Sequence, residues 1–146
     1  MTTSQTTEAP ICASPEEIRQ ILQQTRTIAV VGCSPKPEKE SHQVARYLQE
    51  AGYRIIPIYP KGEEILGEKV YRSLREIPEK VDLVDIFRKS EHLPAIFDEA
   101  LSRGDVDCIW AQLGLYHNAA ARKALAAGVK VVQDRCTKVE HHRAGL

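Results

Sequence analysis

Five short apolar runs, rich in residues that favour strands, recur along the chain, and segments with helical periodicity separate most of them. The runs cover residues 27–32, 54–59, 83–87, 108–113 and 129–133. They are apolar on both faces, which is typical of strands buried inside a parallel sheet. Strands that alternate with helices need right-handed crossovers. The pattern therefore predicts an α/β fold, a doubly wound parallel sheet of about five strands with helices on both faces.

The predicted helices begin and end at recognisable signals. Ser14, followed by Pro15 and two acidic residues, is typical of a helix start. Later helices are predicted to end at Gly52, Gly104 and Gly128, because each of these glycines follows apolar residues at helical spacing. A shorter turn is predicted at 73–77.

The chain divides into two parts on composition. Residues 1–13 are rich in Thr, Ser and small side chains without periodicity, and we expect them to form a flexible arm. Residues 14–146 have the length and apolar content of one Rossmann-like domain.

Charge and cysteine content narrow the function classes. The chain has 20 basic and 20 acidic residues, so it has no net charge to attract nucleic acid or an anionic membrane. No apolar stretch reaches the roughly 18 residues that a membrane span requires. The 4 cysteines form no C-x-x-C pair and occur without a signal peptide. We expect a soluble cytoplasmic protein with reduced thiols.

Ligands of doubly wound sheets bind beyond the carboxyl ends of the strands. The first such loop runs from Gly32 to Ser41, contains Lys36 and Lys39, and leads into a helix whose N-terminus suits a phosphate. The G-x-G-x-x-G pattern of dinucleotide-binding proteins is absent, which disfavours ordinary NAD binding. A structural turn with Ser41 as the helix cap is the alternative, and the loop by itself leaves both open.

The second loop is Tyr59-Pro60-Lys61. NAD-binding domains usually place an acidic residue here to hold the ribose hydroxyls. A lysine suits a phosphorylated ribose better, although a lysine in a turn can also be merely solvated.

The third and fourth strand ends offer flat, small and hydrogen-bonding groups. Arg88 can bind a phosphate with two parallel hydrogen bonds, and Phe87 can flank an adenine. Gln112 and Gly114 follow the fourth strand. Taken singly, Phe87 suits the core and Gln112 suits a local backbone contact. The convergence of four loops on one crevice favours binding.

Several segments in order resemble the small bacterial CoA-binding protein family, which is similar to the CoA-binding domain of the succinyl-CoA synthetase α-subunit. The resemblance covers nearly all of 14–143. The segments that carry it are Val31-Gly32-Cys33-Ser34-Pro35-Lys36-Pro37, Ser41 with Val44, Tyr59-Pro60-Lys61, Asp85-Ile86-Phe87-Arg88, Trp110-Ala111-Gln112-Leu113-Gly114 and Asp134-Arg135-Cys136.

The resemblance implies a stand-alone domain that holds the adenosine 3′-phosphate and pyrophosphate portion of coenzyme A. Tyr59 departs from the family pattern, which often has Asn there, and Cys33 stands where Ala or Ser is common. We complete the site that the resemblance implies with Cys33, Lys39 and Tyr59 from the same loops. The full set is Gly32, Cys33, Ser34, Pro35, Lys36, Lys39, Ser41, Tyr59, Pro60, Lys61, Phe87, Arg88, Gln112 and Gly114.

No catalytic or metal-binding residue is predicted. The larger synthetases carry their phosphohistidine in a separate ligase domain, and we expect this chain to end before such a domain. The 5 histidines show no metal-ligand spacing, and we expect helix-surface or capping roles for them.

Cys33 supports one hypothesis about reactivity. A thiol beside a helix N-terminus and two lysines is predicted to have a lowered pKa and to form a mixed disulfide with a thiol ligand. The alternative, which we favour, is a small residue that lets phosphate approach. Cys136 belongs to a family motif that we expect to lock the end of the last strand.

Three functions remain open from the sequence. The first is a CoA or acyl-CoA binding module that is regulatory or supplies a partner enzyme. The second is a nicotinamide-dependent enzyme, which would need an acidic ribose anchor and a substrate domain. The third is an interaction protein with a degenerate crevice. Dimerisation is compatible with all three, but no stretch identifies an interface.

Overall fold

The computed structural model describes residues 8–146. The strands are β1 (Thr27–Val31), β2 (Arg54–Ile58), β3 (Glu64–Ile65), β4 (Glu68–Lys69), β5 (Leu83–Ile86), β6 (Cys108–Ala111) and β7 (Lys130–Val132). The helices are α1 (Pro15–Gln24), α2 (Glu40–Glu50), α3 (Leu93–Arg103), α4 (Asn118–Ala126) and α5 (Thr137–Ala144), with 3-10 turns at Leu74–Glu76 and Ser90–His92.

Five strands form one parallel sheet in the order β2-β1-β5-β6-β7, so the predicted doubly wound sheet is confirmed. Val31, the last residue of β1, pairs with Ile58 on one side and with Ile86 on the other. From β1 the chain first forms β2 on one side of it and later forms β5 on the other side, so the direction in which strands are added reverses at β1. Such a reversal opens a crevice at the carboxyl ends of the strands.

Apolar clusters cover both faces of the sheet. One is built with α3 and α4 and contains Phe97 and Ala121, and the other is built with α1 and α2 and contains Leu22 and Leu48. Helix α5 lies on the second face, where it packs against α1 and α2. The prediction of helices on both faces is confirmed.

Two small elements escape the sequence pattern. The hairpin β3–β4 has strands of only two residues, which is too short for any alternation to show. Helix α5 buries only Thr137 and His141, so it lacks the apolar stripe by which helices are recognised.

The helix start predicted at Ser14 is confirmed. The hydroxyl of Ser14 accepts from the backbone N–H of Glu17 at 3.2 Å, and the carboxylate of Glu17 accepts from the N–H of Ser14 at 2.9 Å. This reciprocal capping satisfies two amides that a helix start leaves without partners. Within residues 8–146, no helix is both long enough and apolar enough to cross a bilayer.

Residues 8–13 of the predicted N-terminal arm make hydrogen bonds to the domain, and the flexibility of the arm stays a prediction. The N–H of Ala13 donates to the carbonyl of Val131 at 3.1 Å, and the N–H of Ile11 donates to the side chain of Asn118 at 2.9 Å. Gln133 in turn donates to the carbonyl of Ile11. These bonds hold the segment along the edge strand β7. Residues 1–7 of the predicted arm lie outside the described residues.

Candidate functional site

A crevice of about 700 Å³ opens at the carboxyl ends of β1, β2 and β5, where the chain direction reverses. Its wall comes from the loop after β1, the end of β2, the segment before the first 3-10 turn, the end of β5 and one face of α3. The lining residues are Val31, Gly32, Ser34, Lys39, Glu40, Ser41, Ile58, Tyr59, Pro60, Arg72, Ser73, Leu74, Phe87, Arg88, Ile96 and Glu99.

Gly32 lets two strand ends meet at the floor of the crevice. Its φ of +85° lies in the left-handed region, which side chains other than glycine rarely adopt. A Cβ at this position would lie 3.3 Å from Cδ of Arg88 and 3.5 Å from Cβ of Phe87. The positive φ therefore favours glycine at position 32, and a Cβ there would also press on the side chain of Arg88.

A small network within the loop after β1 fixes its shape. The hydroxyl of Ser41 accepts from the N–H of Ser34 at 3.0 Å, and the hydroxyl of Ser34 accepts from the N–H of Lys36 at 3.1 Å. His42 is buried, and its Nδ1 lies 2.9 Å from the carbonyl of Ser34. The alternative that Ser41 caps the helix is therefore wrong: Lys39 is the N-cap residue, and Ser41 binds the loop instead.

The N-terminus of α2 faces the crevice without a side-chain cap. Lys39 makes no capping bond, and Lys39, Glu40 and Ser41 line the crevice. The first amides of a helix have no partner within the helix and carry partial positive charge. This end of α2 suits an anionic group.

The charged side chains of the crevice favour an anion. Lys39, Arg72 and Arg88 line it, and among residues 8–146 no ion pair joins any of the three to a carboxylate. Two carboxylates also line the crevice, Glu40 and Glu99, and Glu99 accepts from Arg75 at 3.3 Å. The cations therefore outnumber the carboxylates and remain available to a ligand.

The lining also contains an apolar portion. Ile58 and Leu74 are buried there, while Phe87 and Ile96 are half-buried and so present part of their surface to the crevice. Apolar walls beside a few polar groups are typical of small-molecule sites. The crevice thus offers a surface for a flat ring next to a surface for phosphate.

Of the residues predicted for the site, eight line the crevice and six do not. Those in the lining are Gly32, Ser34, Lys39, Ser41, Tyr59, Pro60, Phe87 and Arg88. Those outside the lining are Cys33, Pro35, Lys36, Lys61, Gln112 and Gly114.

The side chain of Gln112 turns into the interior. Its amide donates to Asp85 and, at 2.9 Å, to the hydroxyl of Thr137, which itself donates to Asp85 at 2.9 Å. All three residues are buried. Burial raises the pKa of Asp85 to about 7, although the hydrogen bonds from Gln112 and Thr137 act in the opposite direction. Gln112 joins β6 to β5 and α5.

The prediction of a lowered pKa at Cys33 is wrong. Cys33 has no exposed surface and belongs to the apolar cluster on the α2 face of the sheet. Burial, together with the nearby carboxyl of Asp85, raises the pKa of its thiol to about 12. A thiolate is required for disulfide exchange, so the fold removes the premise of the mixed-disulfide hypothesis.

The Asp134-Arg135-Cys136 segment joins the ends of β6 and β7. The carboxylate of Asp134 accepts from the N–H of Gly114 at 2.7 Å, and the carbonyl of Arg135 accepts from Nε1 of Trp110 at 2.8 Å. Cys136 is the N-cap residue of α5. Asp134 and Arg135 thus tie the loop after β7 to Gly114 and Trp110, while the side chain of Cys136 makes no capping bond, and a locking role for Cys136 stays a prediction.

The histidines divide between the expected roles and buried ones. His117 caps α4 as expected, because its ring accepts from the N–H of Ala120 at 3.1 Å. His42 is buried under the loop, and His141 is buried with its Nδ1 2.9 Å from the hydroxyl of Tyr47, so a surface role is wrong for both.

Sequence reasoning missed Arg72, which reaches the crevice through a contact between distant segments. An isolated parallel bridge pairs Tyr71 with Ile58, and it brings Arg72 beside the end of β2. No local pattern in the sequence predicts such a bridge. Glu40, Ser73, Ile96 and Glu99 were also missed.

Comparison with known proteins adds three findings. The sequence profile of a family described as "CoA binding domain" matches residues 26–142. The chain is 44% identical over 128 residues to the uncharacterized protein YneT of Bacillus subtilis. The match covers 88% of this chain and 94% of that protein. It resembles the solved structure of a hypothetical protein from Pyrococcus horikoshii OT3, with a TM-score of 0.87, 38% identity and full coverage of both chains.

A further relative is much longer. The chain is 35% identical over 85 residues to the alpha subunit of ADP-forming acetate–CoA ligase I of Pyrococcus furiosus. The match covers 54% of this chain and only 18% of that subunit. The similarity therefore concerns one part of the ligase subunit.

Proposed function

Because the chain belongs to the family of CoA binding domains, we propose that it binds coenzyme A or an acyl-CoA, with the nucleotide portion in the crevice at the carboxyl ends of β1, β2 and β5. The role is that of a binding module without chemistry of its own. A supply or regulatory function toward a partner enzyme in the reducing cytoplasm is compatible with its four unpaired cysteines.

One observation carries this proposal. The crevice combines cations that form no ion pair, a helix N-terminus without a side-chain cap, and the apolar portion of the lining. Phosphates need positive charge and N–H donors, and an adenine needs a flat apolar surface. Both lie in the same crevice, at the topological switch point where doubly wound sheets hold nucleotides.

We assign each part of the ligand to a part of the crevice. The pyrophosphate would lie at the N-terminus of α2, near Ser34, Lys39 and Ser41. The adenine would pack against Phe87, and Arg88 would bind a phosphate oxygen from the opposite side. The pantetheine arm would leave through the open mouth. Lys36 and Lys61 are exposed, and we assign them an outer role in attracting the phosphates.

The test is a comparison of thermal unfolding with coenzyme A, dephospho-CoA, NAD, NADP and ATP. A ligand at about 100 times its dissociation constant stabilises the folded state by about 2.7 kcal/mol, and this raises the melting temperature by several degrees. We expect coenzyme A to give the largest shift. A larger shift with NAD would contradict the cofactor assignment, and no shift with any of the five would favour an interaction protein.

A matched pair of variants tests the location. Arg88→Gln removes a cation from the crevice, whereas Arg46→Gln removes an exposed cation of α2 that lies outside the lining. We expect the first to weaken CoA binding about tenfold or more, because hydrogen bonds to charged groups contribute about 1.5–3 kcal/mol. The second should leave the affinity unchanged. Equal effects would contradict the assigned crevice.

The ligase reaction of the longer relative is not part of this proposal. The similarity to that relative covers a minor part of its length. The shared property that we infer is recognition of the CoA nucleotide.

A further inference from the structure

We infer that Arg72 recognises the 3′-phosphate of coenzyme A and so sets the preference for coenzyme A over dephospho-CoA. This inference rests on the proposed function and goes beyond it, because it assigns the phosphorylated ribose to a residue outside the sequence-predicted site. The assignment also replaces Lys61, which belongs to the same end of β2.

The backbone around Arg72 is anchored to the end of β2. The N–H of Tyr59 donates to the carbonyl of Tyr71 at 3.1 Å, and the N–H of Tyr71 donates to the carbonyl of Pro57 at 3.0 Å. The N–H of Arg72 donates to the carboxylate of Glu76 at 2.8 Å. Arg72 therefore starts from a fixed backbone beside the strand end.

The side chain of Arg72 extends along the same strand end. Its Nη1 donates to the carbonyl of Tyr59 at 3.2 Å, and the residue lines the crevice. That bond uses one of five guanidinium donors. The carboxylate of Glu76 binds the backbone of Arg72, and no carboxylate among residues 8–146 forms an ion pair with its guanidinium.

The end of the second strand is where Rossmann-like domains recognise the adenosine ribose. An acidic residue there binds the free hydroxyls, and an arginine accommodates a phosphate on the ribose. Here the strand end carries a guanidinium with free donors and no acidic residue among Tyr59, Pro60 and Lys61. A planar guanidinium also matches the oxygens of a phosphate better than an ammonium does.

Lys61 is the competing candidate, and its position disfavours it. It lies two residues beyond Tyr59, is exposed, and does not line the crevice. Arg72 is exposed too, so position separates the two residues: an ammonium outside the crevice would meet the phosphate in water, which screens the interaction. Arg72, in contrast, is positioned by its contact with the carbonyl of Tyr59.

The experiment measures dissociation constants of coenzyme A and dephospho-CoA by calorimetry for the unmodified protein, Arg72→Ala, Arg72→Lys, Lys61→Ala and Arg46→Ala. We expect Arg72→Ala to weaken coenzyme A about tenfold or more, the range of a hydrogen bond to a charged group, and to leave dephospho-CoA within about twofold. Arg72→Lys should restore part of the preference. Lys61→Ala tests the competing candidate: because Lys61 attracts phosphates from outside the crevice, its loss should affect both ligands alike and keep the preference. The matched control is Arg46→Ala, which removes an exposed cation of α2 outside the lining.

The outcomes separate this inference from the proposed function. If the unmodified protein binds neither ligand, both are overturned. If it prefers coenzyme A and Arg72→Ala keeps that preference, or if Lys61→Ala loses it instead, only the assignment to Arg72 is overturned. If Arg72→Ala weakens both ligands equally, Arg72 shapes the strand end without reading the 3′-phosphate, and the assignment is again overturned.

Discussion

Replacement of the buried carboxyl by an amide, Asp85→Asn, should change how stability depends on pH. Asp85 has no exposed surface, and it is held by Gln112 and Thr137 at the junction of β5, β6 and α5. Its pKa rises from an ordinary value of 3.8 to about 7 in the folded protein. An amide of nearly the same shape keeps a hydrogen-bonding group at this junction and removes the titration.

The sign follows from proton linkage. Because the pKa of Asp85 is higher in the folded state than in the unfolded chain, the folded state binds the proton more tightly. Its contribution to stability is fully present below pH 3.8 and is lost as the pH rises toward about 7. At about 1.36 kcal/mol per pKa unit, the loss between about pH 4.5 and pH 8 amounts to about 3 kcal/mol.

The assay is urea denaturation of both proteins at several pH values across that range. The difference in unfolding free energy, unmodified protein minus Asp85→Asn, should fall by about 3 kcal/mol from pH 4.5 to pH 8. The difference removes titrations that the two proteins share. A difference that stays constant, or that rises with pH, would refute the argument that burial dominates at Asp85.

Asp82→Asn is the matched control. Burial raises the pKa of Asp82, but hydrogen bonds from Lys80 and from the backbone of Thr27 and Arg26 outweigh burial, and the net pKa is lowered. Its contribution is present above the unfolded pKa and is lost as the pH falls through the lower folded pKa. Between pH 4.5 and pH 8 the corresponding difference should therefore stay nearly flat.

Three further predictions concern the crevice and the thiols. Gly32→Ala should lower the unfolding free energy by more than Gly62→Ala. Both glycines have positive φ, so backbone strain of about 1–2 kcal/mol is expected at each, but of these two positions only Gly32 would place a Cβ within 4 Å of neighbouring atoms. Urea denaturation measures both free energies. Ser41→Ala should lower the unfolding free energy by about 1 kcal/mol, since it removes the hydroxyl that accepts from the buried N–H of Ser34. Ser41→Thr keeps a hydroxyl and should lose much less, so equal losses for the two variants would contradict that bond. In the folded protein Cys33 should resist a thiol reagent that modifies the half-buried cysteines. Mass spectrometry identifies the labelled residues, and labelling of Cys33 before the others would contradict its burial.

Much of the architecture was predictable from the sequence because it depends on local patterns. Five apolar runs predicted five strands, and helical spacing ending in glycine predicted α2, α3 and α4. The hairpin β3–β4 and helix α5 were not predictable in this way. The strands of the hairpin are too short to show a periodic pattern, and the buried face of α5 is too small to show one. Both elements form because the rest of the domain offers them a surface.

The sequence by itself determined where the candidate crevice lies, and only the tertiary structure decided which side chains line it. Parallel strands have their carboxyl ends at one edge, so the loops after Val31, Ile58 and Ile86 had to converge. The direction of a side chain within a loop depends on the neighbours it meets. Buried partners turn Gln112 inward, and a bridge from a distant segment brings Arg72 to the crevice. Such contacts between distant residues leave no periodic signal in the chain.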